Sequence, residues 1–125
     1  MAVVALDHVQ LAMPEGGEDR ARAFFVGLLG FEEMDKPERL RIGGGLWLRS
    51  GAANVHFGVE IPFRPARKAH PCLAVADLDR LAARLSAGNM PVEWDDRIPG
   101  TRRFFSADPF GNRIEFIQAA GERPR

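Results

Sequence analysis

The stretch His8-Val9-Gln10-Leu11-Ala12-Met13 returns sixty-two residues later as His70-Pro71-Cys72-Leu73-Ala74-Val75, and each copy precedes a segment of helical spacing. In the first copy Val9, Leu11 and Met13 alternate with His8, Gln10 and Ala12, the period of a half-buried strand. Chance can produce two similar amphipathic stretches, but a long-period internal duplication accounts for the match more simply. Each half then reads as strand, helix and three further strands. Neither half alone has the apolar area to be stable, so the two are expected to form one domain over 1–125, with one module at about 1–61 and another at about 68–119.

Outward from the first copy, Pro14 ends the strand. Ala21, Phe24, Phe25, Leu28 and Leu29 predict a helix over Glu18 to Leu29, stopped by Gly30. Strands are predicted around Phe31 to Asp35, Arg39 to Ile42, Leu46 to Arg49 and Asn54 to Ile61, with Gly43-Gly44-Gly45 and Gly51 as punctuation. A basic connector, Pro62 to Lys68, leads to a strand over Ala69 to Ala76. Asp77 offers an N-cap for a helix to about Ser86, closed by Gly88-Asn89. Strands follow at Val92 to Trp94, Arg102 to Ala107 and Arg113 to Gln118, the last two joined by a turn at Asp108 to Asn112; Gly121 to Arg125 is expected to fray.

The 125 residues suit a single globular domain, and 17 basic against 17 acidic side chains leave no net field to draw nucleic acid or an anionic membrane. The longest stretch without a charge, Ser50 to Val59, is far shorter than the roughly 20 apolar residues of a spanning helix. The first residues lack a basic n-region and Cys72 is the single cysteine, from which a cytoplasmic location is expected. No tyrosine is present, so no phenol can serve as acid or hydrogen-bond donor.

His8, His56 and His70 fall on strand candidates, and Glu115 falls on the last strand. Their order is quasi-repeated, His8 early and His56 late in one half, His70 early and Glu115 late in the other. Three imidazoles and a carboxylate suit zinc, nickel, cobalt, iron or manganese, and residue type does not choose among them. Alternatively some of the histidines are hydrogen-bonded core residues, and Glu115 pairs with an arginine such as Arg113. Arg64, Arg67 and Lys68, together with Arg103 beside Arg102, are candidates to hold an anionic substrate. Gln10, Trp47, Trp94 and Phe105 are further substrate-binding candidates, although each tryptophan equally suits the core. Cys72 shares strand parity with His70 and reads as a small buried filler.

Two longer stretches carry a family resemblance. Ala23-Phe24-Phe25-Val26-Gly27-Leu28-Leu29-Gly30-Phe31 resembles the first helix and turn of the vicinal oxygen chelate superfamily, and Asp108-Pro109-Phe110-Gly111-Asn112-Arg113-Ile114-Glu115-Phe116 resembles its last turn and strand. The resemblance implies an α+β fold of two βαβββ modules, an open cup-shaped mixed sheet with helices outside, around one divalent metal ion, usually in a homodimer. Carried over by position, it implies His8, His56, His70 and Glu115 as ligands, shared between chains in small dimeric members. It further implies an enzyme that chelates neighbouring oxygens of a small substrate, of lyase, isomerase or dioxygenase type, with Glu115 or His56 moving the proton. The alternative within the resemblance is a binding protein of the bleomycin-sequestering kind without chemistry. This sequence departs from the pattern twice. His56 stands where glyoxalase-type members carry a glutamate, and Phe105 stands where dioxygenases and fosfomycin enzymes carry a tyrosine. His56 can therefore be a fourth ligand, or an acid or base beside a triad of His8, His70 and Glu115.

Overall fold

The computed structural model describes residues 1–121, so most of the expected frayed tail, 122–125, lies outside the described residues. The chain divides into two compact units, Met1–Arg64 and Pro65–Arg125. It is an α+β protein of two open, four-stranded mixed sheets, each carrying few helices.

The first unit runs β1 (Val9–Met13), α1 (Glu18–Arg22), a π-helical turn (Ala23–Leu28), β2 (Glu32–Met34), α2 (Glu38–Arg41), β3 (Leu46–Ser50) and β4 (Ala53–Val59). The second runs β5 (Cys72–Val75), α3 (Leu78–Ala87), β6 (Glu93–Asp95), β7 (Arg103–Ala107) and β8 (Arg113–Gln118). Strand order is β1-β4-β3-β2 in one sheet and β5-β8-β7-β6 in the other. In both, the first strand lies parallel to the fourth while the remaining pairs are antiparallel. The helix joining the first and second strands supplies the crossover that such a connection needs.

Alternation decides which side chains enter each core. In the first unit Leu11, Met13, Leu46, Leu48, Val55 and Phe57 point inward and meet Phe24, Phe25 and Phe31. Phe25 stands edge-on to Phe24, Phe31 and Phe57, with ring centroids 5.2 to 5.5 Å apart. In the second, Leu78, Leu81, Ala82 and Leu85 line the buried stripe of α3, while Phe104, Ile114 and Phe116 fill the inner face of the sheet. The Asp77 carboxylate caps α3 by accepting from the Arg80 N–H.

Several expectations are corrected. The stretch Arg39 to Ile42 is not a strand but lies in and just after the short helix α2. Pro37, with φ −54°, opens that turn and its carbonyl accepts from the Leu40 N–H, while Leu40 and Ile42 stay exposed with no sheet to pack on. The helix from Glu18 changes to π geometry at Ala23, the wider turn accommodating both Phe24 and Phe25 in the core. Gly30, at φ 78°, ends it as the sequence implies. Of the three histidines only His56 lies within a strand, since β1 starts at Val9 and β5 at Cys72. Cys72 is exposed rather than buried, and Trp94, 48% exposed, is not a core residue. No described helix is long and apolar enough to cross a membrane.

Candidate functional site

Register sets one pair of candidate ligands in each unit. Pairing of β1 with β4 puts Gln10 beside His56, and β3 brings Trp47 to the other side of His56. In the second unit the same pairing puts Cys72 beside Glu115 and Phe105 across from it. His56 and Glu115 thus hold equivalent positions, as do Trp47 and Phe105, and each unit's leading histidine sits just ahead of its first strand.

In the first unit the His56 ring is stacked between two others. His8 lies at 4.2 Å between centroids and Trp47 at 4.4 Å, with interplanar angles of 18° and 10°. His8 Nδ1 is 2.9 Å from the Asp7 carboxylate, so donation there leaves Nε2 with its lone pair. Burial, followed by the neighbouring His8, lowers the pKa of His56 below its ordinary value. Gln10 shares this face, because a Cβ at Gly58 would come within 2.6 Å of the Gln10 Nε2. His8, Gln10, Trp47 and His56, with Met34 and Leu40, line an open cavity of about 640 Å³.

In the second unit Glu115 is only 8% exposed. Its Oε1 lies 3.0 Å from His70 Nε2, and its Oε2 accepts from Arg103 Nη1 at 2.9 Å. Arg103, with a side chain 11% exposed, also donates to Asp95 at 3.0 Å, and Asp95 accepts from Arg97. Burial pushes Glu115 up, but the Arg103 guanidinium, first by its hydrogen bond, leads the contributions that outweigh it and hold the carboxyl below its usual value. Asp95 is held down at about 2, chiefly by hydrogen bonds from Arg97. Partial burial and the adjacent Glu115 carboxylate push the Cys72 thiol up to about 11, which removes it as a nucleophile at neutral pH.

His70 Nδ1 lies 3.0 Å from the Lys68 carbonyl. Both ring nitrogens therefore face oxygens that only accept, while a neutral imidazole carries a single N–H. If that proton serves Lys68, the Nε2 lone pair is left facing the Glu115 carboxylate. A cation between Nε2 and Oε1 would satisfy both, so this donor set fits a divalent metal, with a second-sphere carbonyl fixing the tautomer. Among the described residues, no group of three or more His, Cys, Asp or Glu side chains is placed to hold a metal ion.

The remaining candidates fall into two groups. Phe105 and Arg103 share the sheet face of Glu115, with the Phe105 ring 5.4 Å from His70. Arg67 lines a separate cavity that Phe105 also borders. Arg64 and Lys68 are exposed. Trp94 lies over Phe104 on the opposite face, with Arg102 stacked on it. Asp7, Asp95 and Arg113 were not among the sequence candidates for the site. Adjacency to His8 and strand parity with Glu115 are the signals that mark Asp7 and Arg113, whereas Asp95 becomes visible only through strand pairing.

Comparison with known proteins adds to this geometry. The model of the Glyoxalase/Bleomycin resistance protein/Dioxygenase superfamily matches residues 5–116. A crystal structure from Bacillus anthracis, described as of the glyoxalase family, superposes with a TM-score of 0.90 at 42% identity, covering 94% of this chain and 97% of that one. An antibiotic binding protein, TnmS3, from Streptomyces sp. CB03234 gives 0.71 at 23% identity over 96% and 99% of the two chains. The fosfomycin resistance protein FosX from Listeria monocytogenes gives 0.75 at 14% over 97% and 98%. The last two likenesses establish shared fold alone. No curated protein matches the chain in sequence.

Proposed function

The chain belongs to the glyoxalase/bleomycin resistance protein/dioxygenase superfamily, and from that premise we propose that it is a divalent-metal-dependent enzyme acting on a small molecule. The proposed ligands are His70 and Glu115 of one chain with the partner's His8, the sharing the superfamily pattern implies for small dimeric members, and His56 is the proposed proton carrier. The observation that carries this reading is His70, whose two nitrogens face two acceptor oxygens at 3.0 Å each. A bound divalent ion supplies Lewis acidity, polarising neighbouring substrate oxygens and stabilising negative charge that develops on them.

The protein's own groups divide the remaining work. Arg103 fixes Glu115 by one oxygen and keeps the carboxyl ionised, which suits a ligand and weakens it as a base. His56, its pKa lowered, stays neutral at pH 7 with a lone pair available to take a proton. This division favours the triad over the four-ligand set. Trp47 and Gln10 border the same cavity and would orient the substrate. Ligand binding without turnover is the second reading. It is favoured by the Arg103 guanidinium, which already balances the Glu115 charge without any metal.

Long-range proton–nitrogen correlation spectra of the histidine rings, assigned with a His70→Gln variant, test the proposal. Chelator-treated protein should show His70 protonated at Nδ1 alone, with Nε2 shifting when zinc is added. A ring protonated at both nitrogens and unmoved by zinc would overturn the metal reading.

A further inference from the structure

We propose that the second unit carries a pocket for a planar aromatic carboxylate, built from the two guanidiniums of Arg67 and Arg113 beside the ring of Phe105. The cavity measures about 390 Å³ and is lined by Pro65, Arg67, Pro91, Phe105, Phe110 and Arg113, among others. That volume lies at the lower end of small-molecule pockets, about 300–1,000 Å³.

Among the described residues, Arg22, Arg97, Arg102 and Arg103 are committed to carboxylates. Arg67 and Arg113 have no ion-pair partner among the described residues, yet the Arg113 guanidinium and the backbone that carries the exposed Arg67 are held in place. The Arg113 guanidinium lies over the Phe105 ring, 4.0 Å from its centroid, which fixes its plane and leaves its N–H edge for a ligand. Arg67 is carried by a strap anchored at both hydrogen-bonding groups of Ala66. The Ala66 N–H donates to the Asn112 side-chain oxygen at 2.9 Å, and its carbonyl accepts from the Arg113 N–H at 2.8 Å.

The walls specify the rest of the ligand. Phe110, Pro65 and Pro91 offer apolar surfaces against which a ring can pack, while the buried Phe105 ring backs the Arg113 guanidinium. Gly111, at φ 93°, keeps the wall thin, since a Cβ there would lie 3.4 Å from the Pro65 ring. Two guanidiniums and one lining carboxylate, Glu93, give the cavity a net charge of +1, the complement of a monoanion. Ser106 also lines it, and its buried hydroxyl has no hydrogen-bond partner among the described residues. Arginine's planar fork matches a carboxylate through two parallel charge-assisted bonds. The Phe105 ring is shared with His70 at 5.4 Å, so an occupant lies beside the proposed cation site. Its role as substrate class rests on the metal-enzyme reading, whereas the pocket itself does not.

Isothermal titration of chelator-treated and zinc-loaded protein with benzoate, benzamide, cyclohexanecarboxylate and inorganic phosphate tests the assignment. Benzoate should bind both preparations, with benzamide and phosphate weaker by about tenfold or more. Cyclohexanecarboxylate should fall between, keeping the charge and losing the stacking. Arg67→Met and Arg113→Met should each weaken benzoate by about tenfold, with folding checked by melting. Should Arg113→Met fail to fold, Arg67→Met, on an exposed strap, carries the test. Equal binding of benzoate and benzamide, phosphate binding as tight as benzoate, or wild-type binding by Arg67→Met would overturn the proposal. No benzoate binding by protein that takes up zinc would overturn the pocket alone. Benzoate binding by protein that takes up none would overturn the metal reading alone.

Discussion

At the scale of single residues, the chemistry turns on which arginine reaches Glu115. Arg103 and Arg113 share strand parity with Glu115, and sequence alone points to the nearer, Arg113. The register of β7 against β8 places Phe105 opposite Glu115, and Asp95 on β6 then draws Arg103 in from the far side. Arg113 is left to lie over Phe105. The resulting ionisations make a pH prediction for chelator-treated protein. Glu115 and Asp95 both titrate lower folded than unfolded, so the unfolded chain binds more protons as pH falls from their ordinary values of 4.5 and 3.8. Their stabilisation is complete above that range and is lost as pH falls toward about 2. His56 acts in the same direction from its ordinary value of 6.5 downward. Melting temperature should therefore fall with pH in two stages. His56→Gln should flatten the upper stage and Glu115→Gln should shrink the lower one, whereas an unaltered profile in both variants would contradict these assignments.

At the scale of elements, strands with clean alternation were legible, and so were the short polar strands expected at Phe31 to Asp35 and Val92 to Trp94, whereas the stretch Arg39 to Ile42 was not. Val9, Leu11 and Met13 announce β1, and Ile114 and Phe116 announce β8, because every second residue must be apolar where one face is buried. The stretch containing Leu40 and Ile42 imitates that pattern, yet both side chains remain in solvent and Pro37 starts a helix instead. The turn at Asp108 to Asn112 was legible as a turn, but not its role as a hub. The Asp108 carboxylate accepts from the Phe110 and Asn112 backbone and from the Asn112 side chain, which in turn holds Ala66. Asn112→Ala leaves the buried Asp108 Oδ2 without its side-chain donor and the half-buried Ala66 N–H without its acceptor, while the backbone donors to Asp108 remain. It should cost about 1–3 kcal/mol in denaturant melts and weaken benzoate binding by releasing the Arg67 strap. A cost near zero would mean that the strap is held by other contacts.

At the scale of the whole molecule, the internal repeat was the most informative feature of the sequence. The recurrence of a histidine-bearing strand ahead of a helix predicted two units of one plan, and both sheets show the same strand order and the same parallel pair. What repetition could not convey is how the two copies have diverged. One unit stacks His8, His56 and Trp47, and the other ties His70 and Glu115 to Arg103. Such differences live in side-chain geometry across strands, where linear spacing carries little information. The central claim is that the chain holds a divalent ion through His70 and Glu115, and the most direct test is metal content per chain by mass spectrometry on protein purified without chelator. About one divalent ion per wild-type chain is predicted, lost in His70→Ala and Glu115→Ala and kept in His56→Gln. Wild-type protein that holds none, even after incubation with zinc, nickel, iron and manganese, would contradict it.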